Sequence, residues 1–107
     1  MIAHQDIEAR SLALARAIVD RVDGDPEHRA LALARQRCER WRKTAPCADM
    51  ERWADILAQS WASVRQVLLD PSEEGRRLRQ SNPFCGVLTP RERWAIYRSF
   101  RHDSRAA

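Results

Sequence analysis

Short polar residues followed directly by proline set the strongest constraint on how this chain folds. Asp25-Pro26, Asp70-Pro71 and Thr89-Pro90 are such pairs, each followed by a helix-like stretch. A short polar side chain caps the free backbone N–H groups at the start of a helix, and a proline in the first turn costs no hydrogen bond. Glu92, three residues after Thr89, completes a capping box at the last pair. Each pair therefore predicts a helix start.

Apolar residues between these starts recur every three or four positions, as they do on a helix with one buried face. The predicted helices span residues 5–22, 26–43, 48–69, 71–80 and 90–101. The third helix has the most apolar stripe, which consists of Met50, Trp53, Leu57, Trp61, Val64 and Leu68. Only three glycines occur, and no long alternation of β-branched residues indicates a strand. The predicted fold class is all-α.

The length of 107 residues suits one domain, because two halves would each be too small for a core of their own. Short connections make successive helices near-antiparallel neighbours. We therefore expect one helical domain over residues 1–107, with a frayed tail from about residue 102. Its predicted architecture is a compact bundle of about five helices, three long, one short and one C-terminal, with an ordered apolar loop at residues 81–88.

Several classes of protein do not fit the composition. No stretch approaches the roughly 20 apolar residues of a membrane span, and the first residues lack the basic start and apolar run of a signal peptide. Cys38, Cys47 and Cys85 have neither CxxC nor Cys/His ligand spacing, so we interpret them as small packing residues in a reducing compartment. The chain is expected to be a cytoplasmic protein without a membrane partner.

No catalytic or metal-binding constellation is recognisable in the sequence. His4 and His102 lie near the chain ends and His28 near a helix start, which favours surface histidines over catalytic bases. Dinucleotide-binding, P-loop, zinc-protease, nucleophile-elbow and EF-hand patterns do not occur. We predict that the protein is not an enzyme and has no catalytic residue, no metal site and no cofactor.

Two arginine clusters stand out near the C-terminal end of a chain whose net charge is +4. One consists of Arg76, Arg77 and Arg79, and the other of Arg91, Arg93, Arg98 and Arg101. If the last two helices lie side by side, the clusters form one basic surface around residues 81–88, suited to a phosphate backbone or an acidic protein. The alternative is an arginine-rich face that is simply solvated.

Residues 81–88 and the tryptophans leave two interpretations open. Asn82-Pro83 forces an extended or turn geometry and Gly86 permits a backbone conformation closed to other residues, so Phe84 either plugs the bundle or is presented to a partner.

Trp53 and Trp61 fall on the apolar stripe of the third predicted helix and are expected in the core. Trp41 and Trp94 lie near helix ends, where core is favoured but an interface anchor is the alternative.

Residues 70–94 carry a resemblance to a known group of proteins. They read DPSEEGRRLRQSNPFCGVLTPRERW, which resembles the C-terminal signature of small helical bacterial proteins of toxin–antitoxin-type gene pairs. The segment covers about a quarter of the chain, and no functional residue is transferred with it. The resemblance implies a protein that binds and neutralises a partner, with autoregulation of its own operon as a further implication.

The leading hypothesis is a non-catalytic, antitoxin-like inhibitor that acts by contact with a protein partner, such as a toxin. The predicted contact residues are Arg76, Arg79, Phe84, Arg91, Arg93 and Trp94, with Phe84 as the anchor. A small DNA- or RNA-binding regulator using the same basic surface is the first alternative. A phage-type inhibitor of a host nucleoprotein complex is the second. A homo-oligomer is compatible with each of them.

Overall fold

The computed structural model describes the backbone of residues 4–106 and the side chains of residues 7–100. Six helices and no strand occur in that part of the chain, which confirms the all-α prediction. The helices are α1 (His4–Asp23), α2 (Arg29–Thr44), α3 (Ala48–Leu57), α4 (Trp61–Leu68), α5 (Glu73–Gln80) and α6 (Pro90–Ala106). Helix α1 packs against α2, α4, α5 and α6, while α2 packs mainly against α3.

One apolar core joins the helices: α1 to α5 contribute buried side chains to it, and Ile96 of α6 packs against it. Trp53, Val22, Val64 and Leu68 have no exposed surface. Burying a side chain such as valine or leucine stabilises a fold by about 1.5–3 kcal/mol each, so this cluster is the main source of stability. The remaining buried apolar residues are Ala15, Ile18, Val19, Leu31, Ala34, Cys38, Met50, Ile56, Leu57, Leu78, Phe84 and Leu88.

The single long helix predicted over residues 48–69 is divided in two. Helix α3 ends at Leu57 and α4 begins at Trp61, with Ser60 as its N-cap. The Ser60 hydroxyl accepts a hydrogen bond from the backbone N–H of Ser63. Arg35 of α2 donates to the carbonyl oxygens of Leu57 (2.7 Å) and Gln59 (3.2 Å). The cap at the start of α4 and the arginine bound to the carbonyl oxygens after α3 together stabilise the separation of the two helices. The sequence did not indicate this break because the apolar stripe continues across it.

Helix α2 begins later than the Asp25-Pro26 pair predicted. Asp25 accepts hydrogen bonds from the backbone N–H groups of Glu27 (3.1 Å) and Arg29 (3.0 Å), so it organises a turn, and the helix starts only at Arg29. The residue before the helix, His28, has a φ of 49°, in the left-handed region. Aspartate, like asparagine, often accepts hydrogen bonds from backbone N–H groups a few residues further along and so forms a turn. This explains why α2 does not begin directly after Asp25.

The N-cap of helix α5 lies two residues after the predicted one. Ser72, rather than Asp70, is its N-cap and accepts from the backbone N–H of Gly75 (3.2 Å). Asp70 instead accepts from the N–H and hydroxyl of Ser72. Gly75 lies so close to Asp70 that a Cβ at this position would fall 2.2 Å from its carbonyl oxygen. The glycine is therefore required by close packing rather than being only a weak helix former.

The capping box at the start of α6 is confirmed. The Thr89 hydroxyl accepts from the backbone N–H of Glu92 (3.1 Å), and the Glu92 carboxylate accepts from the backbone N–H of Thr89 (2.9 Å). The helix continues to Ala106, beyond the end predicted near residue 101. Arg21, near the end of α1, pairs with Glu92, while Arg10 lies over Tyr97. Helices α1 and α6 therefore run antiparallel.

Candidate binding surface

Phe84, the predicted anchor, is a core residue. Its side chain is 1% exposed and lies between Trp53 and Trp61, with ring centroids 6.4 and 6.3 Å away. Its backbone N–H donates to Asn82 Oδ1 (2.9 Å). The expectation that Phe84 contacts a partner is corrected accordingly, because a ring enclosed by two indoles has no surface to offer. Of the two interpretations of residues 81–88, this geometry is that of a plug.

The loop is held from α2 by an arginine that sequence reasoning did not single out. Arg37 donates to the carbonyl oxygens of Pro83 (3.1 Å) and Cys85. Gly86 follows with a φ of 88°, as its position in the loop predicted. No sequence pattern links an arginine to main-chain carbonyls so distant along the chain. The contact of Arg37 with this loop could therefore not be predicted from the sequence.

Arg79 is likewise structural. It is 6% exposed, and its Nε donates to the Ser11 hydroxyl (2.9 Å) while Nη1 donates to the carbonyls of Leu68 (3.3 Å) and Asp70. Burial lowers the pKa of Arg79, although an arginine of this kind stays charged at neutral pH. The guanidinium thus fastens α1 to the corner between α4 and α5. Arg79 is therefore mainly structural, and it reaches the surface only where it lines the groove described below.

The other arginines of α5 are paired with carboxylates of this chain. Arg76 forms an ion pair with Glu8 of α1, and Arg77 pairs with Asp49 of α3 (3.3 Å). Helices α5 and α6 both pack against α1. Arg76 and Arg77 are therefore engaged in holding helices together and do not contribute to the single basic surface that was predicted.

The arginines of α6 differ from those of α5. Arg91, Arg93 and Arg98 are exposed, and within the part of the chain that the structure describes none of them has a carboxylate partner. Arg91, Trp94 and Arg98 follow one another at steps of three and four residues and so share one face of the helix. Side chains beyond residue 100, Arg101 and His102 included, lie outside the described residues.

Trp94 is exposed rather than buried. It keeps 55% of its surface accessible, and Ile96 packs against the core in its place. The Trp94 ring meets Tyr97 edge-on, with centroids 6.3 Å apart and planes at 89°. The Arg10 guanidinium lies over the other ring, 5.5 Å from the Tyr97 centroid. We call Arg10, Tyr97 and Trp94 the aromatic stack, and Arg91, Trp94 and Arg98 the α6 face.

The other tryptophans are accounted for by the fold. Trp53 donates from its indole nitrogen to the carbonyl of Leu78 (2.9 Å), and Trp61 donates to Asp23 (2.7 Å). Trp41 is half-buried and packs against the core. Core placement is therefore correct for Trp53 and, in large part, for Trp41 and Trp61. Trp94 alone among them reaches the surface as an exposed large hydrophobic side chain.

A groove of about 490 Å³ runs beside the aromatic stack, between α1, the loop after α5 and α6. We call it the α1/α6 groove. Its lining residues are Ile7, Arg10, Ser11, Leu14, Ala15, Ile18, Arg79, Gln80, Asn82, Cys85, Arg93 and Tyr97. Three arginines and several aliphatic side chains contribute to it, and no carboxylate is among its described lining residues. The described lining of this groove is therefore basic.

The cysteines only partly match their predicted role. Cys38 is buried, burial raises the pKa of its thiol, and its sulfur donates to the Met50 carbonyl (3.6 Å). Cys47 and Cys85 are exposed, so they are not packing residues. All three are free thiols. Among the described residues, no cluster of three or more histidine, cysteine or acidic side chains is placed to hold a metal ion.

No protein-family model matches this chain, and neither a curated protein nor a solved structure matches it. Among the described helices, none combines the length and apolar character needed to cross a bilayer.

Proposed function

We propose that this protein is a non-catalytic, antitoxin-like binding protein that inhibits a protein partner through its α6 face. The observation that carries the proposal is Trp94, half exposed and in edge-on contact with Tyr97, between arginines that have no described carboxylate partner. The resemblance of residues 70–94 to proteins of toxin–antitoxin-type pairs supports the inhibitory character. Of the predicted contact residues, Arg91 and Trp94 belong to the α6 face, and Arg93 lies beside it on the α1/α6 groove.

The composition of the α6 face favours a protein partner. Tryptophan and arginine are the residues most enriched where binding energy concentrates, and a large ring buried at the centre of an interface commonly contributes 2 kcal/mol or more, on the order of 30-fold in affinity. The Trp94 ring already contacts Tyr97 edge-on in the free chain, and a contact of this kind reduces the rotational freedom that is lost on binding. The flanking arginines supply flat, permanently charged groups that pair with carboxylates in two-point contacts.

A pull-down from lysate of the native host tests the proposal. The tagged full-length chain is incubated with nuclease-treated lysate, and the eluate is identified by mass spectrometry. We expect one stoichiometric protein that the Trp94→Ala variant fails to retain. Leu33→Ala is the matched control, because Leu33 is an equally exposed large side chain (56%) on α2. Retention of the same protein by both variants would contradict the proposal.

Nucleic-acid binding is the second candidate, and it is favoured by the exposed arginines of α6. Each phosphate neutralised releases counterions, so affinity for a duplex would fall steeply between low and moderate salt. Fluorescence anisotropy with a labelled duplex measures this directly. Loss of all co-purifying material after nuclease, together with a steep salt dependence, would replace the first proposal by this one.

A further inference from the structure

We infer that the α1/α6 groove binds an acidic segment of the protein partner, with one apolar side chain entering the groove and neighbouring carboxylates pairing with Arg10 and Arg93. This inference rests on the proposed function for the existence of a protein partner. It adds the place where that partner inserts and the chemistry of the inserted segment.

The charge of the groove is uncompensated by the residues that line it. Arg10, Arg79 and Arg93 contribute three positive charges, and no aspartate or glutamate is among the described residues that line the groove. Most arginines elsewhere in the fold have a carboxylate or a main-chain carbonyl as partner, as Arg77 and Arg37 do. A concave surface with one sign of charge focuses the electrostatic field and attracts the opposite charge. The missing carboxylates are therefore what a ligand would supply.

Arg79 offers a fixed donor at the wall of the groove. Its Nε and Nη1 are held by Ser11, Leu68 and Asp70, so the plane of the guanidinium cannot rotate. Its Nη2 makes no hydrogen bond to the described residues. Among them, Ser81 Oγ is the one buried side-chain N or O atom that lacks a partner, so Nη2 is not fully buried. Because Arg79 lines the groove, a ligand there can reach this nitrogen. A donor already immobilised costs little entropy when it binds.

The apolar lining selects a peptide over a phosphate backbone. Ile7, Leu14 and Ile18 lie along the α1 side, and Ile7 keeps 49% of its surface exposed. Branched aliphatic side chains pack against another aliphatic or aromatic side chain, and they provide no flat platform for a base. The flat ring nearby, Tyr97, is already covered by Arg10 and Trp94. An acidic segment with an apolar residue satisfies both parts of the groove.

Selection from a random peptide library displayed on phage tests the inference with the full-length chain as bait. We expect the enriched peptides to share an aliphatic or aromatic residue flanked by aspartate or glutamate. The affinity of a labelled enriched peptide is then measured for the charge-reversed variant Arg10→Glu/Arg93→Glu. It should be at least about tenfold weaker than for the wild-type chain, since both pairing cations are lost.

The variant Arg40→Glu/Lys43→Glu is the matched control, because it changes the net charge equally on exposed residues of α2. Its affinity for the peptide should equal that of the wild-type chain. Circular dichroism confirms that both variants fold, and Arg10→Gln/Arg93→Gln replaces the charge-reversed pair if that pair does not. Amide NMR shifts on peptide binding should concentrate at Ile7, Ser11 and Asn82.

Three results would overturn the inference. They are enrichment of peptides without carboxylates, equal weakening in the control variant, and binding of single-stranded DNA, but of no acidic peptide, that depends on Arg10 and Arg93. The proposed function fails separately. A host protein captured through Trp94 but indifferent to the groove variant would sustain that function and remove this site. Acidic peptides that bind the groove with no host protein captured would do the reverse.

Discussion

The arginines around residues 68–85 and those of the α6 face differ in what accepts their hydrogen bonds. Arg37 and Arg79 donate hydrogen bonds to main-chain carbonyl oxygens at turns between helices. Arg91 and Arg98 have no acceptor among the described residues and lie in solvent. A guanidinium has five donors and no acceptor, so it can serve either place equally well. Arginine content alone therefore does not locate a binding surface; the distribution of acceptors does.

The aromatic residues of the same two regions show the same division. Phe84 is enclosed by Trp53 and Trp61, while Trp94 rests edge-on against Tyr97 with half of its surface free. Truncating an inner side chain should cost stability and leave the outer surface unchanged. Truncating an outer side chain should do the opposite. Each variant below tests one side of that division.

Phe84→Ala should have the largest effect on stability. Removing a fully buried ring loses its burial and leaves a cavity between two indoles, which commonly costs about 3–5 kcal/mol in free energy of unfolding. Urea denaturation followed by tryptophan fluorescence measures the change directly. A loss below about 1 kcal/mol would mean that Phe84 is not the plug described here, and would return it to the surface.

Arg79→Met should follow, with a loss of about 1–3 kcal/mol, because it leaves the carbonyls of Leu68 and Asp70 without their donor while keeping much of the side-chain volume. Arg93→Met is the matched control on α6 and should change the free energy of unfolding by no more than about 0.5 kcal/mol. Equal losses in the two variants would abolish the distinction between inner and outer arginines.

How far the sequence reaches can be argued from the same residues. Caps and periodicity predicted the all-α class, and the box at Thr89 and Glu92 located the start of α6 correctly, because both are local in sequence. The break before Ser60 was missed, since the apolar stripe continues across it and the arginine that stabilises it comes from α2. The sequence left Phe84 open between a plug and a partner contact, and Trp94 between core and interface; the structure encloses the first and exposes the second. Periodicity shows that a helix has an apolar face, but only tertiary packing decides which rings are enclosed.

Acidification should reveal a smaller effect at Asp23, which joins the end of α1 to α4. The hydrogen bond from the Trp61 indole, opposed by burial and reinforced by Arg65, lowers the pKa of this carboxylate below its ordinary value of 3.8. A lowered pKa means that the folded chain binds the proton less readily than the unfolded chain. The stabilisation is therefore complete above about pH 4–5 and is lost as the pH falls through the folded pKa.

Thermal unfolding between pH 6 and pH 3 measures the contribution of Asp23. The wild-type chain should lose more of its Tm on acidification than Asp23→Asn, because the amide no longer titrates. Asp25, Asp70 and Glu92 also have lowered pKa values, mainly from backbone N–H donors, so some acid sensitivity should persist in the variant. Identical losses in the two proteins would show that the contacts with Trp61 and Arg65 do not favour the charged form.

Trp94→Ala should have the smallest effect on stability and is the sharpest test of the outer region. The ring contributes mainly exposed area and one edge-on contact with Tyr97, so the free energy of unfolding should change by no more than about 0.5 kcal/mol. Urea denaturation of this variant beside Phe84→Ala makes the comparison direct. A large loss would place Trp94 among the residues that hold the fold together, and the loss of a partner by this variant could then no longer be attributed to the surface it presents. An unchanged midpoint, by contrast, assigns any lost binding to the ring itself.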